Sequence, residues 1–215
     1  MFSKEKLSLV LAELFGTAAV TGTVLVVSRM FGLGTEAWYT AISTGVVLIL
    51  AMATVSHISG AHVNPAVTIG MWTMKKIETT NAIVYIAAQM LGGLAALLFY
   101  NYATNSNLAS SAATNFDWRA FWVEATGAMV FGMGIAATMV QKLDGYWAAF
   151  TMGMSLSLGM MLASLGSQGY INPAISLGTR TWSSAVVLAP VVGVVVGMNL
   201  YSALFTPAPT KKKRK

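Results

Sequence analysis

The chain has no cysteine among its 215 residues, and only 9% of them are charged. Without cysteine there are no disulfides and no thiolate metal sites, although the compartment stays open. So little charge excludes an ordinary soluble domain, in which about a quarter of the residues are Asp, Glu, Lys or Arg. Acidic residues are the scarcest, 7 against 13 basic ones, for a formal net charge of +6. That sign would suit nucleic acid, but the lysines and arginines stand beside apolar runs, where they read as membrane-topology signals.

What the chain does have is hydrophobic length: 56% of its residues are hydrophobic and the mean hydropathy is +0.67. Six runs, near 7–28, 37–56, 81–103, 118–140, 146–165 and 184–206, are long enough to cross a membrane. About 20 helical residues span a hydrocarbon core about 30 Å thick. The runs are continuously apolar rather than alternating, which excludes a β-barrel. The first is no cleavable signal peptide, since it is too long, carries Glu13 and lacks a small-x-small site. The class is an all-α, multi-pass membrane protein.

Two further apolar stretches, near 64–74 and 172–182, are too short to cross, and each opens on the same tripeptide, Asn64-Pro65-Ala66 and Asn172-Pro173-Ala174. Proline suits the first position of a helix, so both read as half-helices in re-entrant loops. Irregular backbone at membrane depth is tolerated only inside protein or around a wet cavity. With six spans both termini share a side. That side receives Lys4, Lys6, Lys75, Lys76, Lys142 and the tail Lys211-Lys212-Lys213-Arg214-Lys215, ten charges against Arg29, Arg119 and Arg180 on the other. The imbalance places both termini in the cytoplasm.

The halves repeat. Glu13-x-x-Gly16 in the first span matches Glu124-x-x-Gly127 in the fourth, and Gln89-x-x-Gly92 with Tyr100 matches Pro190-x-x-Gly193 with Tyr201. Three spans per half require the second half to insert upside down, an inverted 3+3 repeat with its site near the midplane. We read one domain over 1–206, with halves at about 7–104 and 118–206, a polar linker over Asn105–Asn115 and a basic tail over 207–215.

Two half-helices entering from opposite sides would bring Asn64 and Asn172 face to face. Each N-terminus carries roughly half a positive charge, and each amide offers donors to a passing molecule. Such a constriction disfavours cations and lets a neutral hydrogen-bonding molecule through. Carbonyls of Ser59 to Val63 and Ser167 to Ile171 would form an acceptor ladder. Glu13 and Glu124, the carboxylates placed inside spans, are costly there. A proton relay would need more titratable neighbours than His57, His62 and tyrosines. The stronger reading has each Glu accept from backbone N–H groups of a re-entrant loop. His62 is expected to border the inner half of the pore. Two histidines do not make a metal site, and the run Met152, Met154, Met160, Met161 reads as span filling rather than a copper path. No covalent chemistry and no cofactor are expected.

The stretch Ser59-Gly60-Ala61-His62-Val63-Asn64-Pro65-Ala66-Val67-Thr68 is nearly the first signature of the aquaporin (major intrinsic protein) family, and Ile171-Asn172-Pro173-Ala174 resembles the second. Tyr85 to Gly92 resembles the family's third helix and Ala12 to Thr17 its first. The resemblance covers about 7–206. It implies six helices and two half-helices, a homotetramer with one pore per subunit in the plasma membrane, and passive conduction of water or small neutral solutes such as glycerol, hydrogen peroxide or ammonia. The family usually follows its second motif with a filter arginine; this chain has Ile175 there. Counting from the two motifs places the other filter positions at Thr44, Met160 and Gly169, with Tyr170 in place of Gly169 if the count slips by one. Ser176 is like the water-selective members, whereas Ile175 and Thr44 favour a broader pore. Arg180 is expected at the outer mouth or against a neighbouring element. The alternatives are a secondary transporter of a small solute and a closed structural or adhesive relative, with Met160 and Tyr170 as the blocking residues.

Overall fold

A computed structural model describes residues 4–31 and 36–207. Six long helices and two short ones follow in the order α1 (Lys4–Phe31), α2 (Glu36–Ser59), α3 (Pro65–Thr73), α4 (Thr79–Thr104), α5 (Trp118–Val140), α6 (Gly145–Ala163), α7 (Pro173–Gly178) and α8 (Ser184–Phe205), α3 and α7 being the short ones. The long ones are the six membrane-length apolar helices among the described residues. Of the tail expected over 207–215, only Pro207 is described; residues 208–215 lie outside the described residues.

Local chemistry sets the boundaries. Asp117 caps α5 by accepting from the N–H groups of Arg119 and Ala120, and Asp144 and Ser183 cap α6 and α8. The first helix extends three residues beyond the expected span at each end, over Lys4 to Lys6 and Arg29 to Phe31, since a helix need not stop where the apolar run does. The second half-helix is shorter than its expected 172–182. It closes after Gly178, where the N–H of Thr181 turns back to the Ser176 carbonyl and Arg180 adopts φ 58°.

The packing repeats between halves: α1 lies along α4, α5 along α8, and α2 and α6 join the two units. Small residues let the backbones approach. A Cβ at Gly92 would run into the Leu14 carbonyl of α1, and one at Gly193 into the Ala125 carbonyl of α5, so equivalent glycines hold equivalent crossings. A Cβ at Gly93 would likewise run into the Ala174 carbonyl, a close approach that seats α7 against α4. Trp38, Trp118, Trp122, Tyr146 and Trp147 are exposed near helix ends, the pattern of an interfacial aromatic belt.

Candidate functional site

The two short helices begin against each other in the interior. Asn64 and Asn172 cap them with extended backbones, and each side-chain oxygen accepts from the N–H two residues on, Ala66 at 2.8 Å and Ala174 at 3.0 Å. The amide nitrogens cross over. Asn64 Nδ2 donates to the Ile171 carbonyl at 3.1 Å and Asn172 Nδ2 to the Val63 carbonyl at 3.0 Å. Those two acceptors belong to β-branched residues at φ 42° (Val63) and φ 41° (Ile171), a region such side chains avoid. The left-handed step turns each loop sharply enough to start its helix inside the protein.

The carboxylates of Glu13 and Glu124 hold these loops from α1 and α5. Glu13 accepts from the N–H of His62 at 2.9 Å and of Val63 at 2.8 Å, from Ser59 Oγ at 2.7 Å and from Gln89 Nε2 at 2.6 Å. Glu124 accepts from the N–H of Ile171 at 2.8 Å and of Gly169 at 3.1 Å, and from Ser167 Oγ at 2.5 Å. Gln89, which sequence reasoning left without a role, donates onward to Thr68, and Thr68 meets His62 Nδ1 at 3.1 Å. The available signal was its repeat partner. Pro190 stands where Gln89 does in the other half, so a hydrogen-bonding role could exist in only one of them.

Three carbonyls of the expected acceptor ladder already accept one protein donor each. Ser59 ends α2, and its carbonyl accepts from Tyr85 Oη at 3.0 Å. The Val63 and Ile171 carbonyls serve the opposite asparagine. Gly60 to Val63 and Ser167 to Ile171 all lie outside the helices, as irregular carbonyl-bearing segments.

His62 lines a cavity of about 60 Å³ together with Leu48, Val67, Met71, Phe131, Ile135 and Met152. A second cavity, of about 330 Å³, lies beside the second re-entrant loop, with Tyr170, Gln168, Arg29 and Thr181 in its wall. The residues counted as filter positions are buried: Thr44 and Ile175 are 0% exposed, and Met160 is 1%. Gly169 has φ 73°, and a Cβ there would meet Ser164 and the Met160 carbonyl, while its neighbour Tyr170 lines the second cavity. Arg180 does not replace the missing filter arginine. Its Nη1 donates to the Leu108 carbonyl at 2.7 Å, clipping the linker between the halves. Arg119 likewise donates to the Leu165 carbonyl.

Helices of membrane length, an inverted repeat and two half-helices meeting head to head define an integral, multi-pass membrane channel fold. The model of the family described as major intrinsic protein matches residues 1–204, and the chain belongs to that family. It is 29% identical to a probable aquaporin of Arabidopsis thaliana, over 92% of this chain and 77% of that one. It is 34% identical to the lens fiber major intrinsic protein of Rattus norvegicus, over 78% and 69%. Among solved structures, an aquaglyceroporin from Plasmodium falciparum shares the fold, with a TM-score of 0.70 at 21% identity over 93% of this chain and 96% of that one. The protein is a membrane channel for water or small solutes.

Proposed function

We propose that the chain passes water and small neutral solutes passively along a path from the His62 cavity, between Asn64 and Asn172, to the outer cavity beside Tyr170. The observation that carries this reading is the crossed asparagine pair. An amide nitrogen has two N–H donors; in each asparagine one donor is spent on the opposite loop, and the second remains for a molecule passing between the helix ends. Glu13 and Glu124 serve as supports of the two loops. The termini face the cytoplasm in the plasma membrane, and the subunits form a homotetramer. Hydrogen peroxide, glycerol and ammonia are candidate solutes.

A second reading, a closed structural relative, draws support from the burial of Thr44, Met160 and Ile175. Stopped-flow light scattering on proteoliposomes separates the two. Fast shrinkage in an impermeant osmolyte is expected; a rate equal to empty liposomes, with folded protein present, overturns conduction. In the same assay Ile175→Arg is expected to slow reswelling in glycerol, by narrowing the outer passage. Unchanged glycerol flux would remove Ile175 from the filter.

A further inference from the structure

The largest groove in the walls described so far lies away from the paired asparagines. It has a volume of about 780 Å³ and runs between α1 and α4 on the outside of the bundle. Ala18, Gly22, Ala95 and Ala103 line it, and a Cβ on Gly22 would have nothing within 4 Å. Phe15, Phe99 and Met30 also line it, at 65%, 72% and 68% exposed. The fold does not demand this groove. Gly16 repeats as Gly127 and Gly92 as Gly193. By the same count Met133, Val196 and Leu204 stand on α5 and α8 where Gly22, Ala95 and Ala103 stand on α1 and α4. One half carries bulk at these positions and the other does not.

Charge is as uneven as bulk. Arg29, exposed in the last turn of α1, is the one charged residue in the described lining of the groove. Its repeat partner on α5 is Val140. Arg29 and Tyr100 also line the cavity of about 330 Å³ beside the second re-entrant loop, so the apolar groove meets a more polar space at these two side chains. No carboxylate lines either one among the described residues.

Length narrows the choice of occupant. With 28 residues at about 1.5 Å each, α1 is about 42 Å long, close to a whole bilayer with its headgroup layers, about 40–45 Å. The last turn of α1, with Arg29, therefore sits at headgroup level. Phe15 lies about 21 Å further down the axis at the same rise, close to the bilayer middle, where neighbouring Glu13 holds the first loop. The groove thus runs the depth of one leaflet, cationic at the water end and apolar below.

We propose that the α1–α4 groove is a site for one anionic phospholipid of the leaflet in which α1 ends, with an acyl chain laid over Gly22 and the small alanines and the phosphate on Arg29. A guanidinium meets a phosphate through two parallel N–H donors. The long arginine stem keeps its charged end at the water level while its carbons cover apolar surface. A zwitterionic lipid such as phosphatidylcholine brings its own ammonium beside the phosphate, which competes with Arg29. Phosphatidylglycerol brings none, so its phosphate is free for the guanidinium. The site does not depend on whether the chain conducts.

The test is a native mass spectrometry titration of the purified full chain in detergent with dioleoyl phosphatidylglycerol or dioleoyl phosphatidylcholine. The wild type is compared with Arg29→Gln, with Lys76→Gln and with a double variant, Gly22→Met with Ala103→Leu, that copies the bulk of the other half. The wild type is expected to bind one phosphatidylglycerol per chain in preference to phosphatidylcholine. Arg29→Gln should lose about fivefold of that preference, the contribution of one basic side chain beside anionic lipid, and still bind both lipids. The double variant should lose the site for both, with its melting temperature in lipid-free detergent unchanged, since the added side chains enter open space. Lys76→Gln removes the same charge elsewhere and should leave the preference intact. Equal binding of the two lipids by the wild type overturns the site. So does a wild-type preference in Arg29→Gln, an equal loss in Lys76→Gln, or undiminished phosphatidylglycerol binding in the double variant. A double variant that elutes as a smaller oligomer on gel filtration would give the groove to a second copy of the chain, and overturns the lipid as its occupant. Should the double variant fold poorly, the exposed Arg29 and Lys76 pair still decides the question.

Discussion

Replacing Glu13 with alanine should remove most of the stability of the first re-entrant loop. Val63 and Ile171 hold backbone conformations that cost on the order of 1–3 kcal/mol each and persist only where the surroundings over-determine them. Each is clamped at both ends. The Val63 N–H donates to Glu13 and its carbonyl accepts from Asn172; the Ile171 N–H donates to Glu124 and its carbonyl accepts from Asn64. Glu13→Ala orphans the N–H groups of His62 and Val63 and takes one partner each from Ser59 and Gln89. Two buried unsatisfied N–H groups cost about 2–6 kcal/mol together, a large share of a total stability on the order of 5–15 kcal/mol.

Glu13→Gln is milder. One oxygen remains, so either the His62 and Ser59 pair or the Val63 and Gln89 pair keeps its acceptor. If the amide faces the second pair, Gln89 can flip to present its own oxygen. One backbone N–H is then lost, about 1–3 kcal/mol. Heating in detergent followed by fluorescence-detected gel filtration should rank wild type above Gln and Gln above Ala. An alanine variant that melts with wild type refutes the clamp. So does a glutamine variant as damaged as alanine, or an alanine variant that stays folded and changes only the pH dependence of flow.

Asn64→Ala and Asn172→Ala should each lower the melting temperature through the lost cap, worth about 1 kcal/mol, and the orphaned carbonyl opposite. Their effects should be sub-additive in the double variant, because either loss already loosens the shared contact between the half-helices; strict additivity would show that the crossed bonds act independently. Gly93→Ala should push α7 off α4, since its Cβ meets the Ala174 carbonyl, and cut water flow along with stability, typically by about 1–3 kcal/mol. Gly22→Ala is the matched control, with nothing within 4 Å of the added carbon; equal melting temperatures for the two variants would refute the packing argument.

The six spans were legible because apolar length is nearly sufficient to define a membrane helix, and the repeated Asn-Pro-Ala located both half-helices. Their extents were less legible. Whether α7 runs six residues or eleven depends on a turn at Thr179 and Arg180 that the apolar pattern does not mark. Glu13 and Glu124 stood out because a carboxylate in a span needs a reason, but their individual donors are set by loop geometry at φ values sequence gives no sign of. Gln89 was hidden for the opposite reason: an uncharged side chain in a span raises no alarm until its neighbours are known.

The missing arginine bears on ion exclusion as well as on solute size. Arg119 and Arg180 are committed to backbone carbonyls of peripheral segments, and Ile175, Met160 and Leu156 are buried and uncharged. On the path proposed here, an ion at that level meets no like charge, yet it must give up hydration to a wall that returns little. The dehydration of a small ion in such surroundings costs several kcal/mol at least, and it acts on cations and anions alike. The sign of the barrier is then left to the N-terminal ends of α3 and α7, each bearing a partial positive charge that falls off within the first turn, and to Arg29 in the wall of the cavity beside Tyr170. Dehydration is the larger of the two effects. Arginine introduced at Ile175 should therefore change the passage of glycerol, which depends on width and hydrogen-bonding partners, more than it changes a cation leak that dehydration already holds down. A large drop in leak on Ile175→Arg, measured with a membrane potential imposed across the vesicle, would mean that water stays with the ion through the outer passage and that the wall is wetter than its side chains indicate.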